Sequence, residues 1–356
     1  MQYDTCTYIS WNKYHESPEI QVQNNDILLV KTGSSYGKCA LVNHLPQKAT
    51  INPQFVVLKH ILINPEYLTI LLQSPYARKC YERFILGTAI PTFTQENLGN
   101  LAVPVPPYRE QSRIIQKIHE IQSEAELLIQ NKRELDSCIK QAKSKILDLA
   151  MHGKLVPQDP TDEPAADMLR RINPKAKIIT DNPHSWNIPH NWCLTRVKDV
   201  FNPMEKALPS GREFLYIDIN SVDSKSNTAY PKKVKTECAP SRASRKTQRG
   251  DTVFSMVRPY LRKIAFVPIN GCIASTGFYV LNASPVIYQP FAFRLALSDF
   301  FVNGLNSYMK GDNSPSINKT NVEDFVIPLP PVKEQIRIIS KIEELYSLID
   351  SIKASL

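Results

Sequence analysis

The sequence contains no run of 18 apolar residues, so it predicts no membrane-spanning helix. The N-terminal stretch MQYDTCTYISWNKYHE is polar and lacks the basic-then-apolar order of a signal peptide. The seven cysteines are scattered singly, without a CxxC pair, which argues against both a disulfide framework and a zinc site. Together these absences favour a cytoplasmic protein with reduced thiols and no bound metal.

Glycine is also scarce, at 11 of 356 residues, and no Gly-x-Gly follows a predicted strand, so no cofactor is expected in this chain. Two short segments resemble the motif [N/D/S]PP[Y/F], with which adenine methyltransferases bind their target base. INPEY (63–67) lacks the second proline of that motif, and VPPY (105–108) lacks its polar first residue. A nuclease centre has only a weak candidate in Asp218, Asp223 and Lys225. The chain is therefore expected to be non-catalytic.

The length and the 42% hydrophobic content are sufficient for two domains of ordinary size with packed cores. The formal charge is +9, and most of it is concentrated in residues 231–263, which hold ten Lys and Arg against two acidic residues. Such a concentration of basic residues is typical of a surface that contacts a polyanion such as nucleic acid.

A long phrase occurs twice. VPVPPYREQSRIIQKI (103–118) returns 224 positions later as IPLPPVKEQIRIISKI (327–342). The same offset places Gly87 on Gly311 and Asn97 on Asn321, and an offset of 225 places Asp26 on Asp251. The chain is therefore predicted to hold two copies of one domain, each followed by the repeated phrase.

Each copy contains short runs rich in β-branched and aromatic residues, bounded by Gly, Pro and Asn. The runs are DILLV, CALV and QFVVL in the first copy and DTVFSMV, KIAFV and GFYVL in the second. One helix is predicted after them in each copy, over 67–85 and 291–310. The expected fold class is α+β, with a sheet and peripheral helices in each of the two domains.

A heptad pattern follows each copy and predicts two long helices that pair as an antiparallel coiled coil. About 43 residues of helix in the first copy would span roughly 65 Å. The alternative is that each helix packs only on its own domain. The predicted apolar seam comprises Ile114, Ile118, Ile121, Leu128, Leu135, Ile139, Ile146 and Leu149 in the first helix, and Ile338, Ile342, Leu345, Ile349 and Ile352 in the second.

A proline-rich stretch separates the copies and predicts an extended connector with one short helix at 164–172. The chain is accordingly divided at the sequence level into five parts. These are a first domain (1–107), a first long helix (108–152), the connector (153–187), a second domain (188–331) and a second, shorter helix (332–356).

The order of these parts resembles the specificity (S) subunit of Type I restriction-modification enzymes. The residues that carry the resemblance are Pro106–Gln111 with Arg113 and Ile114, Gly153–Ala165, Ile188–Trp192, and Pro330–Gln335 with Arg337 and Ile338. The resemblance implies two target recognition domains that read one half each of a bipartite double-stranded DNA target, held apart by the helix pair.

The resemblance also implies partners. Adenine methyltransferase (M) subunits use S-adenosylmethionine, and restriction (R) subunits add ATP-driven translocation and cleavage with magnesium. None of this chemistry resides in S subunits. Relative to the family pattern both ends of the sequence look short, which predicts an exposed sheet edge in the first domain. A fragment without function, a member of a rearrangement pool, and a coiled-coil scaffold that does not read DNA are the alternatives.

The candidate DNA-binding residues follow from the basic stretch and its counterpart in the first copy. Residues 241–246 (SRASRK) are expected to make the most direct contact, and KTGSSYGK (31–38) is the positional analogue of SMVRPYLRK (255–263). The candidates are Lys232, Lys233, Lys235, Arg242, Arg245, Lys246, Arg249, Arg258, Tyr260, Arg262 and Lys263 in the second copy, and Lys31, Ser34, Ser35, Tyr36 and Lys38 in the first.

Overall fold

A computed structural model describes residues 6–85 and 91–355. Gly87, which the repeat aligned with Gly311, lies outside the described residues. The chain divides into two compact units, residues 1–133 (unit 1) and 134–356 (unit 2). Among the described residues, none of the helices combines the length and the apolarity that crossing a membrane requires.

Unit 1 has a small sheet with helices packed beside it. Its central strand pairs antiparallel with both neighbours, in the order β3-β2-β5, and β1 pairs with β4. Ile27, Leu29, Tyr81 and Phe93 form the centre of the core, with the rings of Tyr81 and Phe93 stacked at 5.2 Å. The elements are α1 (Trp11–His15), β1 (Gln21–Val22), β2 (Ile27–Val30), β3 (Cys39–Leu41), β4 (Ala49–Thr50), β5 (Phe55–Leu58), α2 (Pro65–Gln73), α3 (Pro75–Phe84), α4 (Gln95–Gly99) and α5 (Tyr108–Met151), the last of which continues into unit 2.

Unit 2 contains three sheets and the second long helix. A six-stranded sheet has the order β10-β11-β15-β14-β17-β8, a four-stranded sheet the order β12-β9-β16-β13, and a three-stranded sheet the order β18-β7-β6. Its elements are α6 (Ala165–Ile172), β6 (Ile178–Ile179), β7 (Cys193–Arg196), α7 (Val197–Val200), β8 (Phe201–Asn202), β9 (Glu213–Ile217), β10 (Val222–Asp223), β11 (Thr228–Ala229), β12 (Lys232–Lys235), β13 (Ala243–Lys246), β14 (Thr252–Ser255), β15 (Ile264–Phe266), β16 (Cys272–Ser275), β17 (Phe278–Ala283), α8 (Gln289–Leu297), α9 (Asp299–Asn306), α10 (Lys319–Glu323), β18 (Val326–Leu329) and α11 (Val332–Ser355).

Mixed α and β content in both units confirms the predicted fold class, but each helix predicted before the repeated phrase is two helices. The chain breaks between α2 and α3 at Ser74, whose hydroxyl caps α3 by accepting from the Ala77 N–H, and Pro75 follows at the first helical position. Ser298 makes the same break between α8 and α9, accepting from the Phe301 N–H. A serine cap starts a new helix at this point because its side chain replaces the missing helical acceptor.

The repeat is structural as well as sequential. α2 and α8, α3 and α9, and α4 and α10 begin 224 positions apart, and β2 and β14, and β3 and β15, begin 225 apart. In the turn before the central strand, Asp26 accepts from the Gln23 N–H at 2.8 Å, and Asp251 accepts from the Gln248 N–H at 2.8 Å. The two copies therefore share one local architecture down to single hydrogen bonds.

Within unit 2, the end of α5 and the helix α11 pair antiparallel. The Tyr346 hydroxyl donates to the carbonyl of Lys143 at 3.0 Å, and the Lys143 Nζ lies 2.6 Å from Asp350. Lys353 then pairs with Asp136 at 2.7 Å, so α11 numbers rise as α5 numbers fall. This confirms the predicted direction of the helix pair.

The seam is buried unevenly. Ile338 and Ile342 are fully buried, and Leu135, Ile139, Ile146, Leu149, Leu345 and Ile349 are half-buried, as are Ile114 and Ile118 in unit 1. Ile121, Leu128 and Ile352 are 53%, 69% and 56% exposed, which differs from the expectation that they lie in the seam. The pairing contacts within unit 2 involve α5 from Asp136 onward, and Ile121 and Leu128 precede that region.

The connector (153–187) lies within unit 2 and packs against the rest of that unit. Asp162 is 4% exposed and accepts from the guanidinium of Arg337 at 2.6 Å. Leu169 on α6 is fully buried, and β6 adds a strand to the three-stranded sheet beside β7. The apolar face of α6, together with the ion pair between buried Asp162 and half-buried Arg337, holds the connector against the rest of unit 2.

Candidate nucleic-acid interface

The hairpin between β14 and β15 carries the basic residues Arg258, Arg262 and Lys263 on a sharply bent loop. Arg258 and Arg262 both adopt left-handed backbone conformations, with φ of 48° and 51°. This conformation costs an L-residue about 1–2 kcal/mol, so the surroundings must hold it in place. The Arg258 N–H donates to the Pro315 carbonyl at 2.8 Å, and its guanidinium donates to the Asn313 carbonyl at 2.8 Å.

Arg262 is held by a different set of contacts. Its guanidinium donates to the carbonyl of Leu297 at 2.9 Å and pairs with the carboxylate of Asp299, the first residue of α9. The other oxygen of Asp299 accepts from the hydroxyl of Ser144 on α5. Arg262, one of the predicted DNA contacts, thus also connects the loop to the long helix within unit 2.

The tip of this loop is Pro259–Leu261, and three apolar or aromatic side chains are exposed on or beside it. Val257 is 36%, Tyr260 46% and Leu261 51% exposed. Val257 and Leu261 are absent from the sequence-based candidates, all of which are basic or carry a hydroxyl group. The left-handed arginines that project them have no sequence signal of the kind that glycine gives.

The first copy has the same loop between β2 and β3. Gly33 and Gly37 take left-handed conformations with φ of 95° and 78°, and the Gly33 N–H donates to the Pro91 carbonyl at 2.9 Å. A Cβ on Gly37 would lie 2.6 Å from the ring of Tyr81, so both φ and space require glycine there. Ser34, Ser35 and Lys38 are exposed, and Lys31 and Tyr36 are half-buried.

Three candidate lysines lie on β12, an edge strand of the four-stranded sheet. Lys232 pairs with Asp218 at 3.1 Å and Lys235 with Glu237 at 3.8 Å, whereas Lys233 lies opposite Leu215 with its side chain exposed. A basic edge strand also protects a sheet from pairing with another chain.

The opposite edge of that sheet is β13, which carries Arg245 and Lys246. Lys246 pairs with Glu205 at 2.6 Å. Arg245 is half-buried with its Nε enclosed. Burial, together with the Glu323 charge, raises the pKa of the phenol of Tyr279, and the positive charge of Arg245 opposes that rise. Because Lys246 is paired and Arg245 is half-buried, Arg242 is the basic side chain of SRASRK that is most accessible to solvent.

The candidates do not form one patch. Arg249 precedes β14 and Arg258 follows it, so these residues lie beyond opposite ends of a four-residue strand whose ends are about 10 Å apart. In the part of the chain that the structure describes, Lys233, Arg242, Arg249 and Tyr260 have no side-chain hydrogen bond or ion pair, whereas Lys232, Lys235, Lys246, Arg258, Arg262 and Lys263 do.

The weak nuclease candidate has structural roles. Asp218 caps a short 3-10 turn by accepting from the Ser221 N–H at 2.8 Å, and Asp223 accepts from the Lys225 N–H at 3.0 Å. Burial tends to raise the pKa of Asp218, but hydrogen bonds from Ser221 and Lys232 outweigh it and lower the pKa. Over residues 6–85 and 91–355, no cluster of His, Cys, Asp and Glu could hold a metal ion.

Comparison with known proteins matches these features to one family. A family model described as the Type I restriction modification DNA specificity domain matches residues 10–136 and 189–356, one range for each copy. The EcoDI specificity subunit of Escherichia coli is 24% identical over 302 residues, covering 83% of this chain and 66% of that protein. The EcoAI specificity subunit of Escherichia coli is 24% identical over 364 residues, covering 82% of this chain and 61% of that protein.

The chain thus spans less than two thirds of the length of these two curated relatives. Among solved structures, the HsdS subunit from Thermoanaerobacter tengcongensis is 36% identical over 49% of this chain and 47% of that chain, with a TM-score of 0.45. Since the family model covers most of the sequence, in two matches that follow the internal repeat, the chain belongs to the Type I restriction modification DNA specificity domain family.

Proposed function

We propose that the chain is the DNA-recognition subunit of a Type I restriction-modification complex and reads a bipartite double-stranded target. The observation that carries this proposal is the duplicated hairpin loop, which has left-handed residues at equivalent positions in both units and is followed in each case by a long helix. Two readers on one chain contact two short sequences with an unread gap between them, as dimeric DNA-binding proteins do with paired half-sites.

In this proposal the partner subunits carry out the chemistry. Two kinds of subunit dock on this chain: methyltransferase subunits with S-adenosylmethionine, and restriction subunits with ATP and magnesium. The chain itself catalyses no reaction. A cytoplasmic location follows from the same role, because the target is the DNA of the cell or of an invading phage.

The proposed contacts fall into two groups. Exposed Lys233 and Arg242 are suited to phosphates or base edges, since their charges are not neutralised within unit 2. Lys232, Lys235, Lys246 and Arg258 remain candidates that would exchange a present partner for DNA. The loop residues Lys31, Ser34, Ser35, Tyr36 and Lys38 make up the proposed surface in unit 1.

A scaffold that binds proteins without reading DNA is the second candidate. It is favoured by one observation, the exposed apolar side chains of Ile121, Leu127, Leu128 and Ile129 on α5. An exposed apolar stretch on a helix is typical of a protein-binding surface. The two proposals differ in the DNA affinity they require of the chain.

Methylome sequencing of cells with and without the gene tests the proposal. A split adenine motif that disappears with the gene supports it. An unchanged methylome in cells that produce the chain with its methyltransferase subunits contradicts it, and DNA affinity that is weak and insensitive to salt would favour the scaffold.

A further inference from the structure

The two hairpin loops have equivalent backbones at equivalent positions. Each has two left-handed residues four apart, Gly33 and Gly37 in unit 1, and Arg258 and Arg262 in unit 2. In each loop the first of the pair donates its N–H to a proline carbonyl, at 2.9 Å in the first copy and 2.8 Å in the second. The preceding residue of each loop forms an isolated antiparallel bridge, Thr32 with Thr92 and Val257 with Ser316.

The side chains between the left-handed residues differ completely. The first tip is Ser34-Ser35-Tyr36, which offers hydroxyl donors and acceptors, and the second is Pro259-Tyr260-Leu261, which offers an aromatic ring and an aliphatic group. Hydroxyls can bond to base edges in the major groove, whereas apolar side chains contact the thymine methyl or wedge between base steps. One scaffold therefore presents two different recognition chemistries.

The surroundings of the second tip are basic and fixed. The loops that carry Arg242 and Gly277 adjoin it, since the Thr276 N–H donates to the Arg242 carbonyl at 2.8 Å and a Cβ on Gly277 would lie 3.8 Å from Val257. Exposed Arg242 and Lys310 supply positive charge, and Asp312 is the acid on the neighbouring loop. Aromatic and apolar side chains between basic groups suit nucleic acid.

We infer that residues 34–36 and residues 259–261 are equivalent specificity-determining positions, one tip for each half of the bipartite target. This inference rests on the proposed function. Tyr260 and Leu261 contact bases of one half-site, and Ser34 and Ser35 contact bases of the other. Arg262 positions the second tip through Leu297 and Asp299 and does not contact DNA.

The test uses the full chain produced with its methyltransferase subunits, with adenine methylation mapped by sequencing. The variants are Tyr260→Ala and Leu261→Ala in one arm, and Ser34→Ala with Ser35→Ala in the other. Ile269→Ala is the matched control, because Ile269 is an apolar residue 45% exposed on the loop between β15 and β16. The bipartite methylation motif has two blocks, one for each half-site. We expect each arm to lower the preference for at least one base about tenfold in one block only, and we expect the control to leave both blocks unchanged.

Three results would overturn the inference: unchanged base preference in both arms, a change of both blocks by one arm, or an equal effect of the control. If an alanine variant loses methylation altogether, a second variant tests the inference. This variant, Tyr260→Ser with Leu261→Tyr, carries the residues of Ser35 and Tyr36 at the equivalent positions of the second tip. A new base in the same block supports the inference, and the original block or a second complete loss overturns it. A wild-type complex without any split motif contradicts the proposed function itself.

Discussion

The side-chain carbonyl of Gln335 accepts a 2.6 Å hydrogen bond from the backbone N–H of Tyr288, the residue that precedes α8. The amide nitrogen of Gln335 donates to the carbonyls of Val286 and Pro330, at 3.0 and 2.8 Å. One fully buried side chain thus satisfies three backbone groups where the second domain meets the start of α11.

The first copy repeats this arrangement at the start of α5. Gln111 accepts from the Asn64 N–H at 2.8 Å and donates to the Pro106 carbonyl at 2.8 Å. The glutamine of the duplicated phrase PPxxEQ therefore hydrogen-bonds each long helix to its own domain. The phrase occurs twice because this contact between helix and domain occurs twice.

Replacing Gln335 with Leu should lower the free energy of unfolding by about 2–4 kcal/mol, since buried backbone groups lose their partners. The urea midpoint of the purified chain, followed by circular dichroism, measures the loss. Gln141→Leu, at an exposed position of α5, should stay within about 0.5 kcal/mol of wild type. Equal midpoints for Gln335→Leu and wild type would contradict the role of this side chain.

The helix pair predicts opposite results for two glutamate substitutions. Ile342→Glu places a charge in a fully buried site of α11 and should destabilise unit 2 by several kcal/mol. Leu128→Glu on α5, where the side chain is 69% exposed, should change stability by less than about 0.5 kcal/mol. Thermal unfolding of both variants measures the difference. A large loss for Leu128→Glu would indicate a packed seam at that position.

Glu334 makes the stability depend on pH. It is fully buried, its carboxylate accepts from the Gln158 amide at 2.6 Å, and Asp162 and Arg337 are nearby. Burial, the largest cause, raises the pKa of Glu334 above its ordinary value. As pH rises, the unfolded chain therefore releases this proton first, near its ordinary pKa of about 4.3. The folded chain releases it only at the raised pKa, so the stability of the fold decreases between these two pKa values and stays lower above them.

Glu334→Gln removes that ionisation, so the stability of the variant relative to wild type should increase as pH rises from about 4.3 to neutrality. Urea unfolding at several pH values measures the difference. Ser340→Ala, at an exposed position of α11 that does not titrate, is the control and should parallel wild type at every pH. Parallel pH profiles for Glu334→Gln and wild type would contradict the assigned pKa direction.

Phosphate contacts predict a change in salt dependence. Lys233→Ala and Arg242→Ala should each weaken binding to a mixed-sequence duplex and reduce the slope of log affinity against log salt by about 1. Fluorescence anisotropy between roughly 50 and 200 mM salt measures the slope. Lys175→Ala, an exposed lysine of the connector, should leave the slope unchanged. If it lowers the slope equally, the binding surface has been misplaced.

The sequence predicted the duplicated architecture because the repeated phrase, the heptads and the β-rich runs are local patterns. It predicted the short helix at 164–172, which the structure has at Ala165–Ile172. It missed the breaks at Ser74 and Ser298, because a helical apolar pattern continues across both caps.

Other features depend on contacts between residues far apart in sequence, and no local pattern contains them. The Asp162–Arg337 pair fastens a connector whose prolines indicated an extended chain. The ion pairs that occupy Lys232, Lys246 and Arg262 come from Asp218, Glu205 and Asp299. A count of basic residues therefore overstates the charge available to a ligand.

The contact of Ser144 with Asp299, and of Asp299 with Arg262, fixes where the long helix takes hold of the second hairpin. Within unit 2, the second hairpin is therefore anchored at Ser144, seven residues before α5 ends at Met151.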